Sequence, residues 1–177
     1  MIEHAGTHAS KFDSKYSTFP DLLEKSGYWV GYTGKGWGPG NYADGGFKRN
    51  PAGPSFSSKK KKYRIKGISS TDYAANFNDF LEQRPEGKPF CFWLGGHEPH
   101  RGFEKGVGLK QGTKLGDVEV PGFLPDTPEI RSDILDYYVE IEDRKSTRLN
   151  SSHTEIAYAV FCLIKHSHDH DSHGASH

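Results

Sequence analysis

Hydrophobic residues along this chain come in short bursts separated by long polar, glycine-rich stretches, and each burst reads as one element. The run Phe90-Cys91-Phe92-Trp93-Leu94 follows Pro89 and stops at Gly95-Gly96. It is short, aromatic and unbroken by polar residues, which predicts a strand buried on both faces. Residues 28–33, Tyr-Trp-Val-Gly-Tyr-Thr, have the aromatic and β-branched content of a second strand. Just before it, Thr18, Pro20, Asp21 and Gly27 are the start and stop signals of a short helix. Ser70-Thr71-Asp72 can cap a helix in which Ala74, Ala75, Phe77, Phe80 and Leu81 follow a helical period, ending near Arg84-Pro85-Glu86-Gly87. Pro128 opens another, carrying Ile130, Ile134, Leu135, Tyr138 and Ile141. Residues 34–70 and 96–127 show no sustained period; structureless stretches this long are usually functional or disordered. The order helix, strand, loop, helix, strand, loop, helix predicts an α/β fold: a parallel sheet flanked by helices, with right-handed crossovers.

After Glu142 the pattern breaks. Residues 143–153 are polar without a helical or strand period, residues 156–164 are apolar, and a His/Asp/Ser run closes the chain. Residues 143–153 resemble, codon by codon, the conceptual translation of a common short-read sequencing adapter. Residues 156–163 resemble its next part, with Ala157 where serine is usual. The resemblance implies that the biological unit is 1–142 and that 143–177 is an adapter-derived tail. The apolar run within it would form a strand or short helix without functional meaning. His166, His168, His170 and His173 with Asp169 and Asp171 have the composition of a loose metal-binding tract. The adapter resemblance argues instead for no selected role.

Composition narrows the function classes. The 177 residues suit one domain or part of a larger one. With 33% hydrophobic residues, 21 glycines and 10 prolines, ordered loops are expected rather than a helical bundle. A formal net charge of zero gives no global preference for nucleic acid or membranes. No apolar run approaches the ~20 residues of a membrane span, and residues 1–6 lack the apolar core of a signal peptide. Cys91 and Cys162 lie far apart in apolar runs, so they read as buried inert thiols rather than as a disulfide framework or a metal site.

In open α/β sheets ligands bind just beyond the carboxyl ends of the strands. The first strand ends in Gly34-Lys35-Gly36-Trp37-Gly38, the second in Gly95-Gly96-His97-Glu98-Pro99-His100-Arg101. On one parallel sheet, Lys35 and His100 share a rim: a compact cation for an anionic oxygen, and a proton carrier at neutral pH. The pair suits hydrolysis of an ester whose acid part is a tetrahedral oxyanion. Gly34-Lys35 is not a P-loop, because the glycine spacing and the following Ser/Thr are missing. His97 and His100 do not share a helical face, given Pro99 and two preceding glycines, so a metal pair is disfavoured. Arg101 has Glu98 or Glu104 as candidate partners, and Lys59 to Lys62 read as a solvated face before an anion site.

Between about Ala9 and Glu142 the chain resembles an internal piece of the formylglycine-dependent sulfatase family, within the alkaline-phosphatase-like superfamily. The likeness is to the heparan N-sulfatase (sulfamidase) branch and its bacterial relatives. It is carried by Thr18-Phe19-Pro20-Asp21-Leu22-Leu23, Gly27-Tyr28 and Gly31-Tyr32-Thr33-Gly34-Lys35. Further on it is carried by Pro89-Phe90, His97-Glu98-Pro99-His100-Arg101, and Val120-Pro121-Gly122-Phe123-Leu124-Pro125-Asp126-Thr127-Pro128 with Arg131. The resemblance implies that residues 1–142 are a partial sulfatase catalytic domain. It further implies that Lys35 contacts the sulfuryl oxygens, that His100 contacts sulfate and protonates the leaving group, and that His97, Glu98 and Arg101 lie on the substrate side. The substrate class it implies is a sulfated, glycosaminoglycan-like carbohydrate, and the compartment is periplasmic or extracellular.

That family uses a formylglycine nucleophile, made from the cysteine of a Cys-x-Pro-Ser-Arg element, and a calcium ion. The element does not occur in this chain; Cys91 precedes Phe-Trp-Leu, and Trp37 stands where the family has a further histidine. The calcium-binding aspartates and asparagine have no counterparts either. An inactive fragment with exposed sheet edges and poor solubility is therefore expected. Two other readings stay open: a phosphoesterase of the same superfamily, and a non-enzymatic module holding anionic glycans with Lys59 to Lys62 or metals with the histidine tail.

Overall fold

Local capping chemistry sets where the helices begin. The computed structural model describes residues 7–38, 40–62, 65–149 and 161–163, and only the backbone of 144–149 and 161–163. In α1 (Phe19–Lys25) the Asp21 carboxylate accepts hydrogen bonds from the Thr18 N–H (3.1 Å) and hydroxyl (2.7 Å). In α2 (Tyr73–Glu82) the Asp72 carboxylate accepts from the Ala75 N–H at 3.0 Å. Strands β1 (Trp29–Gly34) and β2 (Phe90–Gly95) pair in parallel, in register from Trp29↔Phe90 to Gly34↔Gly95. The expected helices, strands and parallel pairing are thus present as a small mixed α/β arrangement.

Several features differ from the sequence expectation. Between the parallel pair and the last helix lie α3 (Val107–Lys110) and a 3-10 turn at Leu115–Asp117, in a stretch expected to be irregular. The buried Asp136 carboxylate nucleates α3 from a distance, accepting from the Gly106 and Gly108 N–H groups at 2.7 and 2.8 Å. The final helix α4 spans Pro128–Leu149 and runs on past Glu142. Residues 143–149 contain neither glycine nor proline, and extending a packed helix costs little once it is nucleated. Asp143 is buried and takes the Lys61 ammonium on both oxygens, at 2.7 and 2.6 Å. Strand β3 (Phe161–Leu163) joins the free edge of β2 antiparallel, so the sheet is not wholly parallel. The histidine run from 166 onward lies outside the described residues.

Residues 54–57, expected to be loop, lie along the other edge of β1. The Tyr32 N–H donates to Pro54 O, the Phe56 N–H to Tyr32 O, and the Gly34 N–H to the Ser57 hydroxyl. Phe56 thereby enters the main core with Phe77, Phe80 and Phe92, flanked by Trp29, Leu81, Phe90 and Leu94. Alternation along the strands puts Trp29, Gly31, Phe90 and Phe92 on the face covered by α2. The opposite face carries Trp93, which meets Phe19 of α1 at 6.4 Å between ring centroids.

Candidate functional site

Two glycines let the strand ends converge. The ladder goes one residue beyond the strands, with the Lys35 N–H donating to Gly95 O at 2.6 Å. A Cβ on Gly95 would stand 1.7 Å from Lys35 O, and one on Gly34, at φ +72°, would stand 2.1 Å from Gly95 O. The Trp93 indole N–H then anchors the Lys35 carbonyl at 3.0 Å. The chains diverge only past this contact, so Lys35 and the 96–100 loop leave the sheet on the same rim.

That rim borders a cleft of about 470 Å³ lined by Lys35, His97, Glu98, His100, Glu140 and the 67–69 turn. Four of the five residues singled out from the sequence are brought together. Arg101 is not: its guanidinium forks onto Asp133 at 2.9 and 2.8 Å, exposed, over the Phe103 ring. The candidate partners Glu98 and Glu104 are engaged elsewhere, Glu104 with Lys110.

Glu98 is buried and turned toward the protein. One carboxylate oxygen accepts from the Ser69 N–H and the other from the Tyr73 hydroxyl, both at 2.8 Å. The same Tyr73 oxygen accepts the His97 N–H at 2.9 Å, and the two rings stack at 6.5 Å. Burial pushes the Tyr73 phenol well above its ordinary value, the Glu98 carboxylate helping, so it remains a neutral donor. Burial also lowers the His97 imidazole, as do the charges of Lys35, His100 and Lys60, against the opposing pull of Glu98. His97 is therefore neutral at neutral pH, and its Nδ1 is buried without a hydrogen-bond partner among the described residues. Removing the Tyr73 hydroxyl would leave Glu98 and the His97 N–H each short of a partner. Tyr73→Phe should accordingly cost about 2 kcal/mol, read as a lower urea midpoint at unchanged slope. A midpoint equal to that of the parent chain would remove Tyr73 from this account.

Glu140, on α4, was missed from the sequence. Its carboxylate is fully buried; Oε2 lies 3.4 Å from the His100 N–H and Oε1 has no partner among the described residues. Burial holds this carboxyl above the usual range, with the Glu98 and Asp143 charges acting in the same direction. The buried stripe of α4 is Leu135, Asp136, Val139, Glu140 and Asp143, whereas Tyr138, one of the apolar residues named for this helix, is exposed. Acids at 136, 140 and 143, spaced four and three apart, are the signal that would have pointed there.

The Lys59 and Lys61 backbones pair with Asp72 and Ser70, the Lys60 ammonium donates to Thr71, and Lys61 is taken by Asp143. Arg131 is likewise structural, tying Asp126 to the Leu115 and Val118 carbonyls. Trp37 stacks on Phe12 at 5.2 Å beside an apolar hollow of about 250 Å³ that holds no titratable group. Cys91 is buried within β2. Among the described residues no group of three or more His, Cys, Asp or Glu is arranged to hold a metal ion. No described helix is long and apolar enough to cross a membrane. No family model matches the chain, and neither a curated protein nor a solved structure shows significant similarity to it.

Proposed function

We propose that the cleft is the oxyanion-recognition half of a sulfuric-ester or sulfamate hydrolase site of the alkaline-phosphatase-like type, acting on sulfated, glycosaminoglycan-like carbohydrate. The observation that carries this reading is the placement of Lys35 and His100 on one cleft, from the ends of two neighbouring parallel strands. The Lys35 ammonium offsets the charge of a tetrahedral oxyanion. The exposed His100 imidazole is placed to hold a proton for the departing oxygen or nitrogen. His97, neutral and stacked on Tyr73, forms the wall behind them. In such hydrolases the formylglycine supplies the nucleophile and calcium polarises the sulfate. Because its sequence has no Cys-x-Pro-Ser-Arg element, this chain is expected to bind the oxyanion without turning ester over.

Inorganic sulfate binding measured by calorimetry tests the reading. Lys35→Ala and His100→Ala should each weaken it by about tenfold or more, the worth of one hydrogen bond to a charged group. Arg101→Ala, outside the cleft, should leave it unchanged. Sulfate binding indifferent to both cleft substitutions would overturn the proposal, as would aryl sulfate turnover that persists in His100→Ala. A strong preference for inorganic phosphate would turn the reading to a phosphoesterase.

A further inference from the structure

We propose that Glu140 is a third anion-binding residue of this cleft, donating a hydrogen bond from Oε1 to an oxygen of the bound oxyanion. The inference rests on the oxyanion reading above and adds to it a residue from α4, outside the two strand ends. Three carboxyl groups lie close together here, and they differ in how they are satisfied. Glu98 has the Ser69 N–H and the Tyr73 hydroxyl, and Asp143 has the Lys61 ammonium on both oxygens. Glu140 lines the cleft; it has one long contact to the His100 N–H, and its second oxygen is buried and unpaired among the described residues. A buried carboxylate with an unpaired oxygen, beside two other carboxylates, is a costly state. The neutral acid is the form such surroundings favour, and it carries one O–H donor. Glu98 already accepts from the Ser69 N–H and the Tyr73 hydroxyl, so the acceptor assigned to that proton is a ligand oxygen in the cleft. A carboxylic acid kept neutral by its site so that it can donate is an established device for stabilising an oxyanion.

Several charged or titratable groups surround Glu140. Lys35 comes from the end of β1; His97, Glu98 and His100 come from the loop after β2. Asp143 lies one turn on along α4 with Lys61 against it, and Tyr73 and Lys60 lie behind Glu98 and His97. Both histidines are present in every variant, so a comparison of variants isolates Glu140.

The test is inorganic sulfate affinity of the full chain at about pH 5 and about pH 8.5, for the parent, Glu140→Gln and Glu140→Met. The glutamine amide donates without titrating. Glu140→Gln should therefore match the parent at the acid end and bind about tenfold tighter at the alkaline end, where the parent holds a carboxylate. Glu140→Met, which cannot donate, should bind about tenfold more weakly at the acid end. Equal affinities of parent and Glu140→Gln at both ends would overturn the proposal. If Glu140→Met fails to fold, carboxyl 13C titration of the parent decides. Sulfate should raise the midpoint of one glutamate whose signal disappears in Glu140→Gln; a midpoint that sulfate leaves in place overturns the assignment. Loss of sulfate binding in the parent itself, or its indifference to Lys35→Ala and His100→Ala, is the separate failure of the oxyanion reading.

Discussion

Gly95→Ala is expected to abolish sulfate binding and to unfold the chain at much lower urea, whereas Gly96→Ala, one residue on, should behave like the parent. A Cβ on Gly95 would lie 1.7 Å from the Lys35 carbonyl oxygen and 2.7 Å from its carbon. Both are backbone atoms of the neighbouring strand, so no rotamer change relieves the overlap. The strand ends would have to separate, losing the Lys35 N–H to Gly95 O bond and disturbing the Trp93 indole that holds Lys35 O. Such a loss belongs to the severe class of single substitutions, about 4 kcal/mol or more, against a total stability of ~5–15 kcal/mol for a domain. At Gly96 the nearest atom to a new Cβ is Glu98 O at 3.9 Å, and the backbone is not left-handed. Urea midpoints and sulfate affinities of the two variants are the measurement. If they fall together, or neither falls, convergence at Gly95 is not what builds the site.

That convergence carries the link from fold to chemistry. Lys35 and the 97–100 loop acquire a common rim because two Cβ atoms are missing at Gly34↔Gly95, the last register pair of the parallel ladder. The loop is then fixed from behind. Glu98 is held by the 67–69 turn and by Tyr73 of α2, and His97 by Tyr73. His97 and His100 therefore present side chains to the cleft while Glu98, between them, is spent on structure.

What could be read from the sequence was what is decided locally. Thr18 with Asp21, Asp72, and Pro128 mark helix starts locally in the sequence, and those helices begin where expected. Lys35 and His100 were legible because a buried strand followed by glycine points its next residues at a ligand-binding rim. What was hidden depends on distant partners. Arg101 meets Asp133, 32 residues on, and α3 begins at a carboxylate 28 residues beyond Gly108. The inward face of α4 carries Asp136, Glu140 and Asp143 beside Leu135 and Val139, so a list of its apolar residues does not outline that face. Asp136 and Asp143 are satisfied by Gly106, Gly108 and Lys61, and for Glu140 the proposed partner is a ligand.

Phe80→Ala is expected to be the most destabilising truncation in the core, at about 3–5 kcal/mol. Phe80 is fully buried, and its ring lies 4.6 Å from Phe92, 5.2 Å from Phe56, 5.7 Å from Phe90 and 6.1 Å from Trp29. Gly31 makes room for it, since a Cβ there would meet Phe80 at 2.9 Å. The residues that would have to collapse into the cavity are aromatic rings held on two strands and on the 54–57 segment, which limits relaxation. The effect should reach the cleft. Phe80 seats α2 on the sheet, and the first residue of α2 is Tyr73, which holds Glu98 and His97. Even where the variant remains folded, its sulfate affinity should fall, through a loop less well held rather than through any lost contact to the anion. Leu22→Ala on the exposed side of α1, with Leu22 53% accessible, should change stability by no more than about 0.5 kcal/mol. Urea unfolding of both variants, with sulfate affinity measured on the folded protein, separates the two expectations. A Phe80→Ala midpoint no lower than that of Leu22→Ala would show that the aromatic cluster does not hold α2 in place.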